Sequence, residues 1–331
     1  MVKLNYSNYL KDENFDLENK YCNLFDRTSF DALKKEYPFN IIFFNIDFKD
    51  IIFAKADNLK CLIHHIELRI IEQSMLIKKI KNSKVKEKEE ILIYGAKDKI
   101  KEIFKYEGNN QSKKITPFFT DNFNFRTCFY CNKDFITNFD TDKKVSTFQL
   151  DHFFDKGTYP YLALSFYNLI PSCSTCNSSK VKGSKNTFEY DVKVGRFQNE
   201  TCIAPNDANF DFHQKVKFKL FLADSCKNLH IKSKDEIEIA LKENCSNQYD
   251  KYIEIFKLNE RYKVHKDIVF EMIHKAELYP QSRLKELQDL TGIPFQQIKK
   301  DIFNLIDENE DLSKQPFGKL IKDISKELEL L

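Results

Sequence analysis

The chain has 331 residues, a formal net charge of +3, 42% hydrophobic residues and 31% charged residues. That length exceeds one typical single-core domain and implies two or three packed units of a soluble globular protein. A charge of +3 is too mild to identify a nucleic-acid binder unaided, although local lysine clusters can still build a basic face.

The opening stretch, MVKLNYSNYLKDENFD, lacks the apolar segment of a secretory signal. The longest apolar run, FNIIFFNIDF at 39–48, falls short of the roughly 18 to 20 residues that span a bilayer. A cytoplasmic location is therefore expected. Thiols stay reduced there, so the nine cysteines are expected as metal ligands or core residues, not disulfides. With 31 Phe and no Trp, Phe should fill much of the core.

Residues 1–112 read as a helical N-terminal region. Leu59, Leu62, Ile63, Ile66, Ile70 and Ile77 recur at 3–4 spacing and mark one apolar helix face. The charged run KIKNSKVKEKEE at 79–90 reads as a solvated turn between two helices. The breaker-rich stretch EGNNQSKKITP at 107–117 marks the next boundary. Cys61, His64 and His65 lie close together, but further ligands are not evident and a helix face is the expected setting.

Residues 113–195 form the second region. VSTFQL reads as a strand, YLALSFYNLI as a strand or extended loop, and TCNSSKVKG as a short helix ended by Gly183. Residues 196–331 form the third. In KVKFKLFL, Lys215, Lys217 and Lys219 alternate with Val216, Phe218 and Leu220, as in a half-buried strand, and LHIKS and EIEIAL are candidate partners. From about residue 248 the pattern is helical. SRLKELQDLTGIPFQQIKKDIFNLI at 282–306 has Leu284, Leu287 and Leu290 on one face, a stop at Gly292 and a start at Pro294. Its spacing suits a helix-turn-helix with Gln296, Gln297, Lys299 and Lys300 facing DNA, although a hairpin that only packs is the commoner source of this pattern. The class is α+β. Cys22, Cys202, Cys226 and Cys245 are scattered and carry no pattern.

Cys128-x-x-Cys131 and Cys173-x-x-Cys176 are two knuckles about forty residues apart. Each places two thiolates on one tight turn, and four complete a tetrahedral Zn²⁺ shell. A redox Cys-x-x-Cys would not need a second copy. A closed shell of four thiolates leaves no open position, so this zinc is expected to be structural.

The combination of CFYC at 128–131, LDHF at 150–153, NLIPSCSTCN at 168–177 and Lys180 resembles the HNH endonuclease superfamily, over about 60 residues. The resemblance implies a central zinc-stabilised ββα-metal core flanked by helical regions. It implies that His152 is the general base, that Asp151 and Asn177 hold a catalytic Mg²⁺ or Mn²⁺, and that Asn168 braces the loop and orients the histidine. The chemistry agrees. Phosphodiester hydrolysis needs a water nucleophile, and a neutral imidazole of pKa near 6.5 accepts its proton at pH 7. Asp151 points to the opposite side of the strand from His152 and, with Asn177, offers the hard oxygens that suit Mg²⁺ or Mn²⁺. The family's last ligand is often His, and Asn177 stands in that place here.

Arg126, Lys133, Lys156, Lys180, Lys182 and Lys185, with Phe153, Phe154 and Tyr159, are candidates to position a phosphate backbone. The DHFF motif followed by YPYLALSFYNLIPSC, with LNERYKVHKD in the helical tail, resembles stand-alone bacterial HNH proteins, some of which are similar to the nuclease partner of two-gene anti-phage systems. This resemblance implies DNA cleavage in defence, with a regulatory partner such as an ATPase. No phosphate-cradling glycine loop places an ATPase in this chain. Two rivals stand beside this reading. One is a nuclease acting on RNA, and the other is a non-catalytic, zinc-stabilised DNA-binding module.

Overall fold

The computed structural model describes residues 1–80, 86–142, 144–185, 187–188, 190–191, 196–197, 202–223, 226, 230–244, 246–307 and 309–331. Residues 81–85 of the expected charged turn, Leu229, Cys245 and the expected boundary residue Gly195 lie outside these. The chain is α+β, with many helices and short antiparallel strand pairs. Among the described residues no helix is long and apolar enough to cross a membrane.

Backbone contacts divide the chain into two units. One comprises Leu4–Phe125 and Ile136–Phe210, and the other comprises Met1–Lys3, Arg126–Phe135 and Asp211–Leu331. This division cuts across the consecutive regions 1–112, 113–195 and 196–331, because the N-terminal helices share an aromatic core with residues beyond 136.

The first of these units begins with helices α1 (Leu17–Cys22), α2 (Thr28–Leu33), α3 (Phe39–Ile42) and α4 (Phe48–Ile52). The Asp16 carboxylate caps α1 by accepting from the Asn19 backbone N–H at 3.2 Å. Asp47 and Asp50 form a capping box on α4. Helices α5 (Ala56–Ile80) and α6 (Lys86–Ile103) follow. Leu59, Leu62, Ile63, Ile66 and Ile70 are all buried, as their 3–4 spacing predicts. After a π-helical turn at Asn110–Ile115 comes α7 (Thr116–Asn122), with Pro117 in its first turn.

The strands of this unit are β1 (Asn138–Asp140) with β2 (Lys144–Ser146), and β3 (Gln149–His152) with β4 (Leu169–Ser172), both pairs antiparallel. Helix α8 (Ser174–Asn177) follows β4 directly, and β5 (Tyr190–Asp191) pairs with β6 (Arg196–Phe197). VSTFQL, expected as one strand, is split between β2 and β3. The break comes at Thr147, whose N–H and hydroxyl both bond to the Thr137 carbonyl while Phe148 turns inward. YLALSFYNLI forms 3₁₀ turns at Pro160–Leu162 and Phe166–Asn168 before extending into β4. Local bonds such as Asn168 N–H to the Ser165 carbonyl, 3.1 Å, satisfy its backbone without a strand partner.

The core of this unit is built largely of Phe and Tyr. Phe166 stacks on Phe119 at 5.1 Å between centroids and meets Tyr21 edge-on at 5.0 Å. The Tyr21 hydroxyl donates to the Leu164 carbonyl at 2.9 Å, and the Tyr6 hydroxyl donates to the Leu169 carbonyl. The N-terminal helices thereby grip the loop that leads into β4.

The other unit contains α9 (Phe212–Lys215), the antiparallel pair β7 (Val216–Leu222) and β8 (Ile237–Glu243), and helices α10 (Asp250–Ile255), α11 (Leu258–Lys263), α12 (Lys266–Leu278), α13 (Gln281–Thr291), α14 (Phe295–Phe303) and α15 (Gly318–Glu327). Val216 and Phe218 are buried while Lys217 and Lys219 are half-exposed, so the alternation holds in the first half of β7; Leu220 is half-exposed as well, and Lys215 belongs to α9. LHIKS supplies no strand among the described residues, and β8 is the partner. Gly292 ends α13 at φ +70°, and Asn304 ends α14 at φ +53°.

Replacing Phe166 by Ala removes the ring that joins the helices to the β4 loop. A loss of about 3–5 kcal/mol is expected in denaturant unfolding; a loss below about 1 kcal/mol would show that the ring is not central to this core.

Candidate functional site

Two constellations stand out. The first is the four cysteines. Cys128, Cys131, Cys173 and Cys176 are all buried, and their sulfur atoms lie within 4.8 Å of one another. Four thiolates around one zinc at about 2.3 Å place sulfurs about 3.8 Å apart, so the cluster is close to a closed tetrahedral shell. It can bind a structural metal such as zinc.

Local structure prepares each knuckle. In the first, Asn132 takes a left-handed conformation at φ +52°, and its N–H donates to the Cys128 carbonyl at 2.7 Å. The Asn132 side chain is buried and donates to Thr127 Oγ1 at 3.1 Å and the Leu312 carbonyl at 2.9 Å, while accepting from the Lys319 N–H at 2.9 Å. The Tyr262 hydroxyl donates to the Cys131 carbonyl at 2.6 Å. In the second knuckle, Cys173 is the N-cap of α8, and its sulfur accepts from the Cys176 N–H at 3.4 Å.

The second constellation is a cleft of about 280 Å³ whose walls include Tyr106, Asp151, His152, Lys156, Asn177 and Gly183. Asp151 and His152 end β3, where they pair with Ile170 and Leu169 of β4. Asn177 closes α8, the one-turn helix that β4 runs into. Thus strand, strand and helix bring three of the sequence-predicted residues to one cleft. Asn168 sits behind them, fully buried. Its Oδ1 accepts from the Phe154 N–H at 2.8 Å, and its Nδ2 donates to the carbonyls of Phe154 at 3.0 Å and Leu162 at 3.1 Å. It braces the loop without touching the cleft.

His152 is 8% exposed. Its Nε2 lies 2.9 Å from the Ala163 carbonyl, which can only accept, so Nε2 carries the proton and Nδ1 carries the lone pair. The Tyr106 ring stands edge-on to the imidazole at 4.5 Å between centroids. Burial pushes the His152 pKa down to about 4, outweighing the Ala163 hydrogen bond that favours the charged form. The ordinary value near 6.5 expected from sequence is thereby revised downward.

Asp151 is 3% exposed and its carboxylate meets the Lys182 ammonium, 2.9 Å from Oδ2. Asn177 Nδ2 donates to Gln149 Oε1 at 2.9 Å, which orients the amide and leaves its Oδ1 as the remaining acceptor.

Several expected phosphate contacts lie elsewhere. Lys182 is 1% exposed and belongs to the Asp151 pair, not to a basic face. Phe153, Phe154 and Tyr159 are core residues; Phe154 packs on Phe188 at 5.3 Å. Lys156 is ion-paired with Glu107 and lies over the Tyr106 ring at 4.9 Å. Lys133 pairs with Asp134 at 3.1 Å. Arg126, Lys180 and Lys185 are exposed. The helix expected to run to Gly183 stops at Asn177 because Ser178 turns extended at ψ 155°. Gly183 instead lies in a separate tight turn at φ +50°, where a Cβ would come 2.8 Å from the Ser179 Cα.

In the C-terminal helix pair, Leu284 and Leu287 pack with Ile298 and Phe303, whereas Leu290 is 83% exposed. Gln297 bonds Asp301 at 2.7 Å and Lys300 pairs with Asp307 at 2.6 Å, so much of the polar face expected to meet DNA is internally engaged. Among the described residues, the four cysteines are the group positioned to hold a metal through His, Cys or carboxylate ligands, so Cys61, His64 and His65 remain helix residues.

Sequence reasoning did not find Tyr106, Glu107 or Gln149. None sits in a motif, and each acquires its place only by folding.

Two outcomes follow. Cys131→Ser should lower bound zinc per chain and the melting temperature together; unchanged zinc content would exclude a four-thiolate site. His152 should titrate near pH 4 in an NMR pH series and stay neutral from pH 5 to 8. Its folded pKa lies below the ordinary 6.5, so the stability it contributes is complete above that value and is lost as pH falls toward about 4. A midpoint near 6.5 would show that the ring is solvated.

Comparison of the chain with protein-family models, with curated proteins and with solved structures found no match.

Proposed function

We propose that the protein is a metal-dependent endonuclease of the HNH type that hydrolyses DNA phosphodiester bonds. The observation that carries this reading is the convergence of Asp151, His152 and Asn177 on one cleft, from a strand pair and the helix that follows it. A binding module has no need of that set. A buried imidazole of shifted pKa beside a buried carboxylate, both on one cleft, is the kind of group that marks functional sites.

The donor chemistry fits a hard divalent cation. Asp151 already attracts a cation, the Lys182 ammonium, and Asn177 retains an amide oxygen on the same cleft. These two residues would hold Mg²⁺ or Mn²⁺, which when bound supplies charge stabilisation at the scissile phosphate and its leaving oxygen. His152 does the proton work. Nε2–H is anchored on the Ala163 carbonyl, so Nδ1 is the atom that accepts a proton from water. With its pKa near 4 the imidazole is neutral throughout the physiological range, so Nδ1 keeps its lone pair, at the cost of being a weaker base than an ordinary imidazole. Tyr106 limits the rotation of the ring, and Asn168 holds the backbone that carries it. Of the exposed candidates Arg126, Lys180 and Lys185, the two lysines belong to the same unit as the cleft and are the ones left to meet a phosphate backbone there.

Plasmid nicking with Mg²⁺ or Mn²⁺ tests this reading. Wild type should cut, EDTA should stop it, and His152→Ala should lower the rate about 10²–10⁴-fold with zinc content retained, the range for loss of a general base. Cutting by His152→Ala at the wild-type rate would remove His152 from the mechanism. Cleavage of RNA but not plasmid would transfer the same chemistry to the other substrate, and DNA binding without cleavage would favour a binding module.

A further inference from the structure

Lys182 has no role in the mechanism above, yet it is one of the most deeply buried charged groups in its unit. Its side chain is 1% exposed and faces an Asp151 side chain that is 3% exposed. The ammonium lies 2.9 Å from Asp151 Oδ2, 3.1 Å from Oδ1 and 2.7 Å from the His152 carbonyl. An ammonium has three N–H donors, and three acceptors surround this one. It therefore grips both neighbouring residues, one by its carboxylate and the other by its backbone.

The turn that carries Lys182 is itself held. The Lys182 N–H donates to the Cys176 carbonyl at 3.2 Å, one residue before Asn177. Gly183 follows at φ +50°, packed against the Ser179 backbone. The lysine thus reaches Asp151 from a fixed point on the second knuckle and does not sweep through solvent as a surface lysine does.

A carboxylate offers about four lone-pair positions, and this ammonium engages one on each oxygen. Any second cation approaching Asp151 meets a carboxylate whose charge is already countered, in a site where solvent screens little. We propose that Lys182 is a resident cation that competes with the divalent ion for Asp151, holding the carboxylate in place when the ion is absent and weakening its binding when present. The inference rests on the proposed function for the cation site at Asp151 and for the class of ion.

The test is direct Mn²⁺ binding to the zinc-loaded full chain by calorimetry, for wild type, Lys182→Met and Asp151→Asn. Lys182→Met should bind Mn²⁺ at least about ten-fold tighter than wild type, and Asp151→Asn should abolish binding. Lys182→Met should also melt below wild type without Mn²⁺ and recover more than wild type on saturation, because the ion replaces the lost charge. Equal or weaker Mn²⁺ binding by Lys182→Met, with Asp151→Asn still abolishing it, overturns the inference and leaves the metal site standing. No Asp151-dependent Mn²⁺ binding in any variant overturns both. Should Lys182→Met not fold, wild type suffices. The slowly exchanging Lys182 ammonium signal in ¹⁵N-lysine NMR, assigned by its loss in Lys182→Arg, should shift or exchange faster as Mg²⁺ is added. A signal unmoved at saturating Mg²⁺ overturns the proposal.

Discussion

The bracket made by Asn168 is the constraint on which the cleft depends. One buried amide spans the loop between β3 and β4 by bonding to the backbone of Phe154 on both its N–H and carbonyl and to the Leu162 carbonyl. The Asn168 backbone carbonyl also accepts from the Phe153 N–H at 2.9 Å. Leaving such a buried donor or acceptor unmatched costs about 1–3 kcal/mol, and several would be lost together. With the bracket closed, β4 must start opposite His152, the chain must reach Cys173 three residues after Ile170, and α8 must present Asn177 beside Asp151. The aromatic core reinforces the same loop from behind, through Phe166 and the Tyr6 and Tyr21 hydroxyls.

Burial then sets the electrostatics. The low-dielectric wall holds His152 neutral and forces the Asp151 carboxylate to find a counter-charge. At the rim, Glu107 offsets Lys156. The cleft is therefore more nearly neutral than a count of its lysines suggests. On the proposed reading, attraction of a polyanion would rest on exposed residues such as Lys180 and Lys185, and cation affinity at Asp151 would depend on Lys182.

The cysteine knuckles serve two purposes. The four sulfurs can close on a structural metal such as zinc, and each knuckle organises its surroundings. Asn132 ties the first to the backbone at Leu312 and Lys319. The second carries Asn177 immediately after Cys176 and anchors the Lys182 backbone on the Cys176 carbonyl. Loss of a metal held there would therefore be felt at the cleft as well as in stability.

The α+β class, the helix face from Leu59 to Ile70, the alternation in the first half of β7 and the cysteine quartet were legible in the residues. All of these express a spacing along the chain: 3.6 residues per helical turn, two per strand repeat, or two thiols on one tight turn. The grouping of Asp151, His152 and Asn177 was also legible, though through resemblance more than spacing. What remained hidden depends on groups distant in sequence. The partner of Asp151 is Lys182, 31 residues on, and the ring against His152 is Tyr106, from before α7. Phe153, Phe154 and Tyr159 read as surface contacts because their neighbours are polar, and they became core by packing on one another, on Tyr161 and on Phe188. Burial, and with it the pKa of His152 and the engagement of Lys182, is a property of packing density around a side chain, and no local pattern of residues encodes it.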